Sequence, residues 1–125
     1  MARKKILLVD DSPTILLMEK MILAQGGYEL VVAVDGEDGL LKAREHNPDL
    51  ILLDVVMPGK NGLEVLQALR QEEATRSVPV IMVTTRSEAD KIEAAYTIGC
   101  ADYVTKPING LELITKVTNC IGASR

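Results

Sequence analysis

The chain has 125 residues, 47% of them hydrophobic and 26% charged, and its formal net charge at pH 7 is −4. These values are typical of one globular domain, and the acidic balance argues against a domain that binds nucleic acid through a broad basic surface. No apolar run approaches the roughly 18 residues of a membrane span and no secretory signal follows the first residue, so we expect a cytoplasmic protein with reduced cysteines and no membrane insertion.

The first predicted strand, at residues 5–9, is apolar from residue 6 onward and runs directly into two acids, Asp10 and Asp11. Ser12 can cap the following helix, with Pro13 at its first helical position, and a Gly-Gly pair ends this helix. Two adjacent carboxylates at the end of a buried strand repel each other and resist desolvation, so the pair needs a compensating partner.

The next two strands follow the same plan. A strand at residues 30–34 leads to Asp35, which can cap a helix that Pro48 prevents from extending. A third, wholly apolar strand at residues 50–53 then ends on Asp54. One helix of about ten residues therefore separates the second and third strands, as in a βαβ unit.

The loop after the third strand is rich in Pro and Gly, and Asn61 and Glu64 have the spacing of a capping box that opens a third helix. A fourth apolar strand at residues 80–83 ends on two threonines, Thr84 and Thr85. Polar residues therefore follow the fourth strand as they follow the first and the third.

The last two helices also carry start and stop signals. Ser87 is predicted to cap the fourth helix, which Gly99 ends, and a short fifth strand follows at residues 102–105. Asn109 and Glu112 have the spacing of a second capping box and open the fifth helix, whose apolar residues mark one face.

Three of the strands are continuously apolar rather than alternating, at residues 6–9, 50–53 and 80–83. That pattern is typical of strands covered on both faces, as in a parallel sheet. Five βα units predict a doubly wound α/β fold with five parallel strands and five helices, forming one domain over residues 1–125 with a core at about 4–122.

The polar residues that end these strands all fall at the carboxyl edge of the predicted sheet. For the strand order 2-1-3-4-5, strands one and three flank the switch point where ligands bind, which brings three aspartates together. Three carboxylates raise one another's pKa values unless a cation joins them, and an all-oxygen acidic cluster suits Mg²⁺. The residues at this edge are Asp10, Asp11, Asp54, Thr84, Thr85 and Lys106.

A lysine ammonium and a threonine hydroxyl beside a Mg²⁺-bound aspartate are the parts of a phosphoryl-transfer site. The positive groups stabilise charge on the equatorial oxygens while an aspartate oxygen attacks in line and forms an acyl phosphate. Taken singly, each residue has an ordinary alternative. These are a helix cap for Asp10 or Asp11, a turn residue for Asp54, a strand-end polar residue for Thr84 and a solvated surface residue for Lys106.

The motifs at this edge, in this order and spacing, resemble those of the receiver domain of two-component response regulators. They are the Asp10-Asp11 pair, Asp54 with MPG three residues on, VTT at the end of the fourth strand, and YVTKP at the fifth. The resemblance covers about residues 4–122 and is to the stand-alone, chemotaxis-regulator-like members. It implies a flavodoxin-like fold and a phosphoacceptor switch that catalyses only its own phosphorylation and dephosphorylation.

The resemblance also implies roles for the acidic residues. Asp54 matches the phosphoacceptor. Asp10 and Asp11 match the pair that holds Mg²⁺, and Val56 matches the residue whose backbone carbonyl is a further metal ligand. Val56 and Arg86 also lie where side chains at the mouth of the site are expected to tune the reaction rates.

Four residues near the fourth and fifth strands are implied to stabilise the phosphoryl group and to switch, and a fifth is implied to follow a cis peptide bond. Thr84 and Lys106 match the side chains that contact it, together with the backbone N–H of Thr85. Tyr103 matches the aromatic residue that follows the threonine on switching, and the bond before Pro107 matches the family's cis peptide.

The implied function is a phosphorylation-controlled binding switch. A histidine kinase or histidine phosphotransfer protein phosphorylates the aspartate with Mg²⁺, which shifts the face formed by the fourth helix, the fifth strand and the fifth helix toward binding a downstream protein. Homodimerisation on activation through the same face stays open. The residues expected to contact a partner are Ile92, Tyr96, Tyr103, Ile108 and Lys116.

The sequence is also compatible with two other classes of protein. A Mg²⁺-dependent phosphatase or phosphotransferase with an aspartate nucleophile usually has a second acid two residues further on, whereas Asp10 and Asp11 are adjacent. A constitutive interaction module would carry the same residues and never use them. Turnover of a phosphate ester that survives Asp54→Ala distinguishes the first alternative, and the absence of phosphorylation under any donor distinguishes the second.

Overall fold

A computed structural model describes residues 3–123, so the outermost residues of the predicted domain 1–125 lie outside the described part. Its five strands form one parallel sheet in the order β2-β1-β3-β4-β5, which confirms the predicted α/β class and strand order. The strands are β1 (Lys5–Val9), β2 (Glu29–Ala33), β3 (Leu50–Asp54), β4 (Val80–Thr84) and β5 (Asp102–Thr105).

Five α-helices connect and follow the strands, and each begins one or two residues after its predicted capping residue. Among residues 3–123, none of the helices has the length and apolar character that a membrane span requires. The helices are α1 (Pro13–Ala24), α2 (Gly36–His46), α3 (Gly62–Gln71), α4 (Ala89–Ile98) and α5 (Gly110–Ile121).

The sheet is covered on both faces, as its continuously apolar strands predict. Successive residues of a strand point to opposite faces, so Leu7 and Val9 belong to one core cluster and Ile6 and Leu8 to the other. The first cluster packs α2, α3 and α4 against the sheet, and the second packs α1 and α5. The central strands β1 and β3 are therefore held from both faces, which fixes the positions of the residues at their carboxyl ends.

Most of the helices begin where the sequence predicts. A side chain caps four of them by accepting a hydrogen bond from a backbone N–H of the first turn. The full capping box forms between Asn61 and Glu64, each side chain bonding the other residue's amide at 2.9–3.0 Å. The four capping residues are Ser12, Asp35, Asn61 and Asn109.

The prediction that Ser87 caps α4 is wrong. Residues Arg86–Glu88 form a 3₁₀ turn, and α4 begins at Ala89 without a side-chain cap. The turn forms because the Glu88 amide donates to the Thr85 carbonyl at 3.2 Å. Ser87 therefore lies inside the turn, and its hydroxyl is 2.9 Å from that of Thr85 rather than at the helix terminus.

Candidate functional site

Three aspartates meet at the carboxyl ends of β1 and β3. The register pairs Val9 with Leu53, which places Asp10 beside Asp54. One carboxylate oxygen from each of Asp10, Asp11 and Asp54 lies within 4.8 Å of the other two. Asp10 and Asp54 are buried, with 1% and 3% of their surface exposed, while Asp11 faces solvent. The structure therefore brings these three predicted residues together.

The Asp10 side chain is only partly satisfied by the protein. Its Oδ1 atom accepts a hydrogen bond from the Ser12 amide at 2.9 Å, whereas its Oδ2 atom is buried without a hydrogen-bond partner. Lys106 Nζ lies 3.6 Å from Oδ2, an ion-pair distance that is too long for a good hydrogen bond. A buried carboxylate oxygen without a hydrogen-bond partner, within a group of three carboxylates, belongs to a ligand set that fits a hard divalent cation.

Lys106 brings the positive charge of the site to Asp54. Its Nζ atom donates to Asp54 Oδ1 at 3.2 Å, and its backbone amide donates to the Thr84 carbonyl at 2.7 Å. The peptide bond between Lys106 and Pro107 is cis, as expected. The amide of Val56, whose side chain is 47% exposed, lies 3.4 Å from the same Asp54 oxygen. The Lys106 ammonium and the Val56 backbone amide thus both contact the same oxygen of the Asp54 carboxylate.

Burial and charge shift the ionisation of this pair. Burial and then the nearby Asp10 carboxylate raise the pKa of Asp54 to about 6, against the lowering effect of Lys106. Burial alone would lower the pKa of Lys106, but the Asp54 and Asp10 carboxylates outweigh it and raise that pKa. At neutral pH the site therefore holds an ammonium next to an aspartate that is mostly ionised.

Glu19 is a fourth acid near the cluster that sequence reasoning missed. It lies on the buried face of α1 with Leu16 and Leu23, is 1% exposed, and its Oε1 atom has no hydrogen-bond partner. Burial, and next the charge of Asp10, raise the pKa of Glu19 to about 8. Its position three residues after one buried leucine and four before another was the available signal, because an acid does not belong on an apolar helix face.

The predicted threonine donors are engaged with another acid that the sequence reasoning missed. Thr84 is 1% exposed, and its hydroxyl donates to the Thr85 carbonyl at 3.1 Å and, over a longer distance of 3.5 Å, to Glu88 Oε1. The same Glu88 oxygen accepts from the amide and the hydroxyl of Thr85 at 3.3 and 2.9 Å. The three-residue spacing of Thr85 and Glu88, which resembles a capping box, was the signal.

A cavity of about 250 Å³ separates the threonines from the aromatic residue on β5. It is open on one side, and exposed Arg86 lies at its rim. This volume gives a lining side chain room to rotate. The residues that line it are Thr84, Thr85, Arg86, Ile92, Tyr103 and Thr105.

The five residues predicted to contact a partner differ in how far they are exposed. The rings of Tyr96 and Tyr103 pack edge to face with centroids 6.4 Å apart, and Lys116 Nζ lies 4.8 Å from the centre of the Tyr103 ring. Ile92 and Ile108, in contrast, are each only 8% exposed and belong to the core clusters, so they offer little surface to a partner in this conformation. The accessible part of the face consists of the two tyrosines and the lysine.

Comparison with known proteins agrees with this geometry. The family model described as "Response regulator receiver domain" matches residues 6–118. Protein PilH of Pseudomonas aeruginosa is 39% identical over 118 residues, which cover 94% of this chain and 96% of PilH. Other curated relatives, such as the transcriptional regulatory protein CpxR of Escherichia coli, are longer, and the chain spans only 47% of that protein.

Solved structures give the same picture. The chemotaxis protein CheY4 of Vibrio cholerae superposes with a TM-score of 0.89 at 33% identity, over 95% of this chain and 99% of that one. The receiver domain of a sensor histidine kinase from Pseudomonas aeruginosa superposes with a TM-score of 0.88 at 30% identity, over 98% of this chain and all of that one. That structure is described as having a magnesium ion coordinated in its active site cleft.

Proposed function

The chain belongs to the response regulator receiver domain family, and on that premise we propose that it is a cytoplasmic, phosphorylation-controlled binding switch. Asp54 accepts a phosphoryl group from a histidine kinase or a histidine phosphotransfer protein. The observation that carries the proposal is the convergence of Lys106 and two further aspartates on the buried Asp54 carboxylate.

Asp54 is the nucleophile in this proposal. An ionised Asp54 oxygen attacks the phosphorus of the donor in line, and the bond from phosphorus to the donor nitrogen or oxygen breaks with its electron pair leaving on the donor. Lys106, 3.2 Å from Asp54, stabilises the negative charge of the transferred oxygens. With a pKa of about 6, Asp54 is mostly ionised at pH 7 and can attack without a separate base.

The acidic cluster fits Mg²⁺ as the cofactor. Asp11, Asp54 and the backbone carbonyl of Val56 would hold the ion directly, and Asp10 would hold it through water. When bound, the ion supplies positive charge that offsets the repulsion between the carboxylates and the incoming phosphoryl group. The magnesium reported in the cleft of the related sensor-kinase receiver domain supports this assignment.

The signal passes from the site to the face formed by α4, β5 and α5. In the phosphorylated state the Thr84 side chain turns toward the phosphoryl oxygens. The Tyr103 side chain then moves into the cavity that separates it from Thr84. A downstream protein, or a second copy of the chain, then binds Tyr96, Tyr103 and Lys116. Lys116→Glu is expected to change the affinity for that partner, because the charge lies over the Tyr103 ring, and an unchanged affinity for every partner would remove this face from the proposal.

Incubation with acetyl phosphate and Mg²⁺, followed by intact-mass measurement, tests the proposal. We expect a gain of one phosphoryl mass in the unmodified chain, no gain in Asp54→Ala or in excess EDTA, and a normal gain in Asp90→Asn, which changes an exposed aspartate. No gain under any donor would instead support a constitutive interaction module. Turnover of a phosphate ester that survives Asp54→Ala would support a phosphatase.

A further inference from the structure

One carboxylate oxygen of Glu88 accepts three hydrogen bonds from groups of the β4–α4 segment that could also bond a phosphoryl group. Glu88 Oε1 lies 2.9 Å from the Thr85 hydroxyl, 3.3 Å from the Thr85 amide and 3.5 Å from the Thr84 hydroxyl. An anionic oxygen that accepts from one N–H and two hydroxyl groups is chemically similar to a phosphoryl oxygen in an anion site. The Thr84 hydroxyl and the Thr85 amide, which the proposed function assigns to the phosphoryl group, are therefore already hydrogen-bonded to Glu88.

These donors lie close to the phosphoacceptor. Asp54 pairs with Val83 across β3 and β4, and Thr84 and Thr85 follow that partner directly in the chain. Lys106, which bonds Asp54, also donates its amide to the Thr84 carbonyl at 2.7 Å. A phosphoryl group on Asp54 and the carboxylate of Glu88 would thus compete for the same N–H and hydroxyl donors.

Little besides these hydrogen bonds holds the Glu88 side chain. The 3₁₀ turn places its backbone, since the Glu88 amide donates to the Thr85 carbonyl at 3.2 Å. Within residues 3–123 its carboxylate forms no ion pair with a lysine or arginine, and Glu88 is partly exposed. A carboxylate in that position can return to water when a stronger acceptor arrives, because its hydration then replaces the lost hydrogen bonds.

We propose that Glu88 is a positioning residue that acts through Thr84 and Thr85: its carboxylate holds their donors in the unphosphorylated protein and must be displaced by the phosphoryl group on Asp54. This inference rests on the proposed function. Because the Glu88 carboxylate accepts these hydrogen bonds, it lowers the fraction of molecules in which the Thr84 and Thr85 groups are free. It therefore raises the concentration of phosphoryl donor that is needed for phosphorylation. It also adds charge repulsion against the doubly negative phosphoryl group.

Three variants distinguish the effect of the Glu88 hydrogen bonds from the effect of its negative charge. Glu88→Gln removes the charge and keeps the shape, while Glu88→Asp keeps the charge on a side chain one methylene too short for the same hydrogen bonds. Asp90→Asn is the matched control, because Asp90 is an exposed acid two residues away whose side chain forms no hydrogen bond or ion pair within the described chain. Urea unfolding of each variant verifies that it folds.

The readouts are the acetyl phosphate concentration for half-maximal phosphorylation with Mg²⁺, by intact mass, and the Thr85 backbone amide signal by NMR. We expect Glu88→Gln to lower that concentration about tenfold, because charge-assisted hydrogen bonds no longer compete. Glu88→Asp should lower it as well, and Asp90→Asn should leave it unchanged. Without any phosphoryl donor, the Thr85 amide signal should shift in both Glu88 variants and stay in place in Asp90→Asn.

Equal behaviour of Glu88→Gln and Asp90→Asn in both readouts would overturn the inference, since only long-range charge would then be acting. A Glu88→Asp protein that behaves as the unmodified chain would overturn it too, because contact would not matter. Failure of the unmodified chain to gain any phosphoryl mass would instead overturn the proposed function, and this inference with it. The two failures are therefore distinguishable in one experiment.

Discussion

The two ends of the candidate site are built in different ways. The acid end consists of Asp10, Asp11 and Asp54, which follow β1 and β3, strands that are paired on both sides and buried on both faces. The switch end consists of residues 84–88 after β4, where a glutamate side chain engages the threonine donors. Backbone ladders therefore hold the acid end, while exchangeable side-chain hydrogen bonds hold the switch end.

This difference corresponds to the two tasks that the proposed function sets. Phosphoryl transfer requires carboxylates in a fixed arrangement before the donor arrives, because reorganising charges during the reaction raises the barrier. Switching requires a segment with two arrangements of similar free energy, which side-chain hydrogen bonds supply more easily than a buried ladder does. Changes at the acid end should thus have larger effects than changes at the mouth of the site or the switch end.

The largest effect is expected when both metal-binding acids are replaced. Asp10→Asn combined with Asp11→Asn should abolish phosphorylation by acetyl phosphate in intact-mass measurements, because no acidic pair is left to hold Mg²⁺. The urea midpoint in EDTA should stay equal or rise, since the buried Asp10 carboxylate no longer repels Asp54 and Glu19. Loss of the fold in this double variant would mean that the pair is structural instead.

Glu19 should make the protein less stable as the pH rises. Its folded pKa of about 8 lies above the ordinary value of 4.5, so the folded state keeps a proton that the unfolded chain releases. The stabilisation is complete below pH 4.5 and is lost as the pH rises through 8. In EDTA at pH 8, Glu19→Gln should therefore be more stable by on the order of 4 kcal/mol, and at pH 4.5 it should match the unmodified chain.

Urea unfolding at the two pH values measures this effect, with the exposed Glu45→Gln as control. Part of the pH dependence should persist in Glu19→Gln, because the raised pKa of Asp54 acts in the same direction. If Glu19→Gln and Glu45→Gln respond alike, the Glu19 carboxyl is not held in its protonated form.

Two glycines between the end of β3 and the first turn of α3 test how rigidly the acid end is held. A Cβ atom on Gly62 would lie 2.2 Å from the backbone oxygen of Asp54, whereas one on Gly59 would meet nothing within 4 Å. Gly62→Ala should cost about 3 kcal/mol in the free energy of unfolding because the backbone must shift. Gly59→Ala should cost about 1 kcal/mol, from its positive φ of 74° alone. Equal losses by denaturant unfolding would contradict a rigid acid end.

The smallest effect is expected at the mouth of the site. Val56 is 47% exposed and has no polar side-chain atom with which to orient an attacking water. Val56→Asn should speed the decay of the phosphorylated protein, followed by intact mass after the donor is removed, because its amide can hold that water. Leu41→Asn, an exposed site on α2, is the control. Unchanged or slower decay in Val56→Asn would contradict the rate-tuning role.

Much of the fold was accessible from local sequence patterns. Apolar runs without alternation predicted a parallel sheet, and the caps at Ser12, Asp35 and Asn61 predicted where helices begin, because these signals depend on neighbours within four residues. The cap at Ser87 was wrong for a reason that is also local. Thr85 and Glu88 form a tighter turn that competes for the same segment.

By itself, the sequence determined which polar residues end the strands, since the carboxyl ends of parallel strands share one edge of the sheet. Only the tertiary structure decided how far each of these groups is buried and which partner it contacts. The protonation of Glu19, the engagement of Glu88 and the burial of Ile92 and Ile108 all depend on such contacts. These contacts arise from packing between elements, so the residue pattern within a single helix or strand does not predict them.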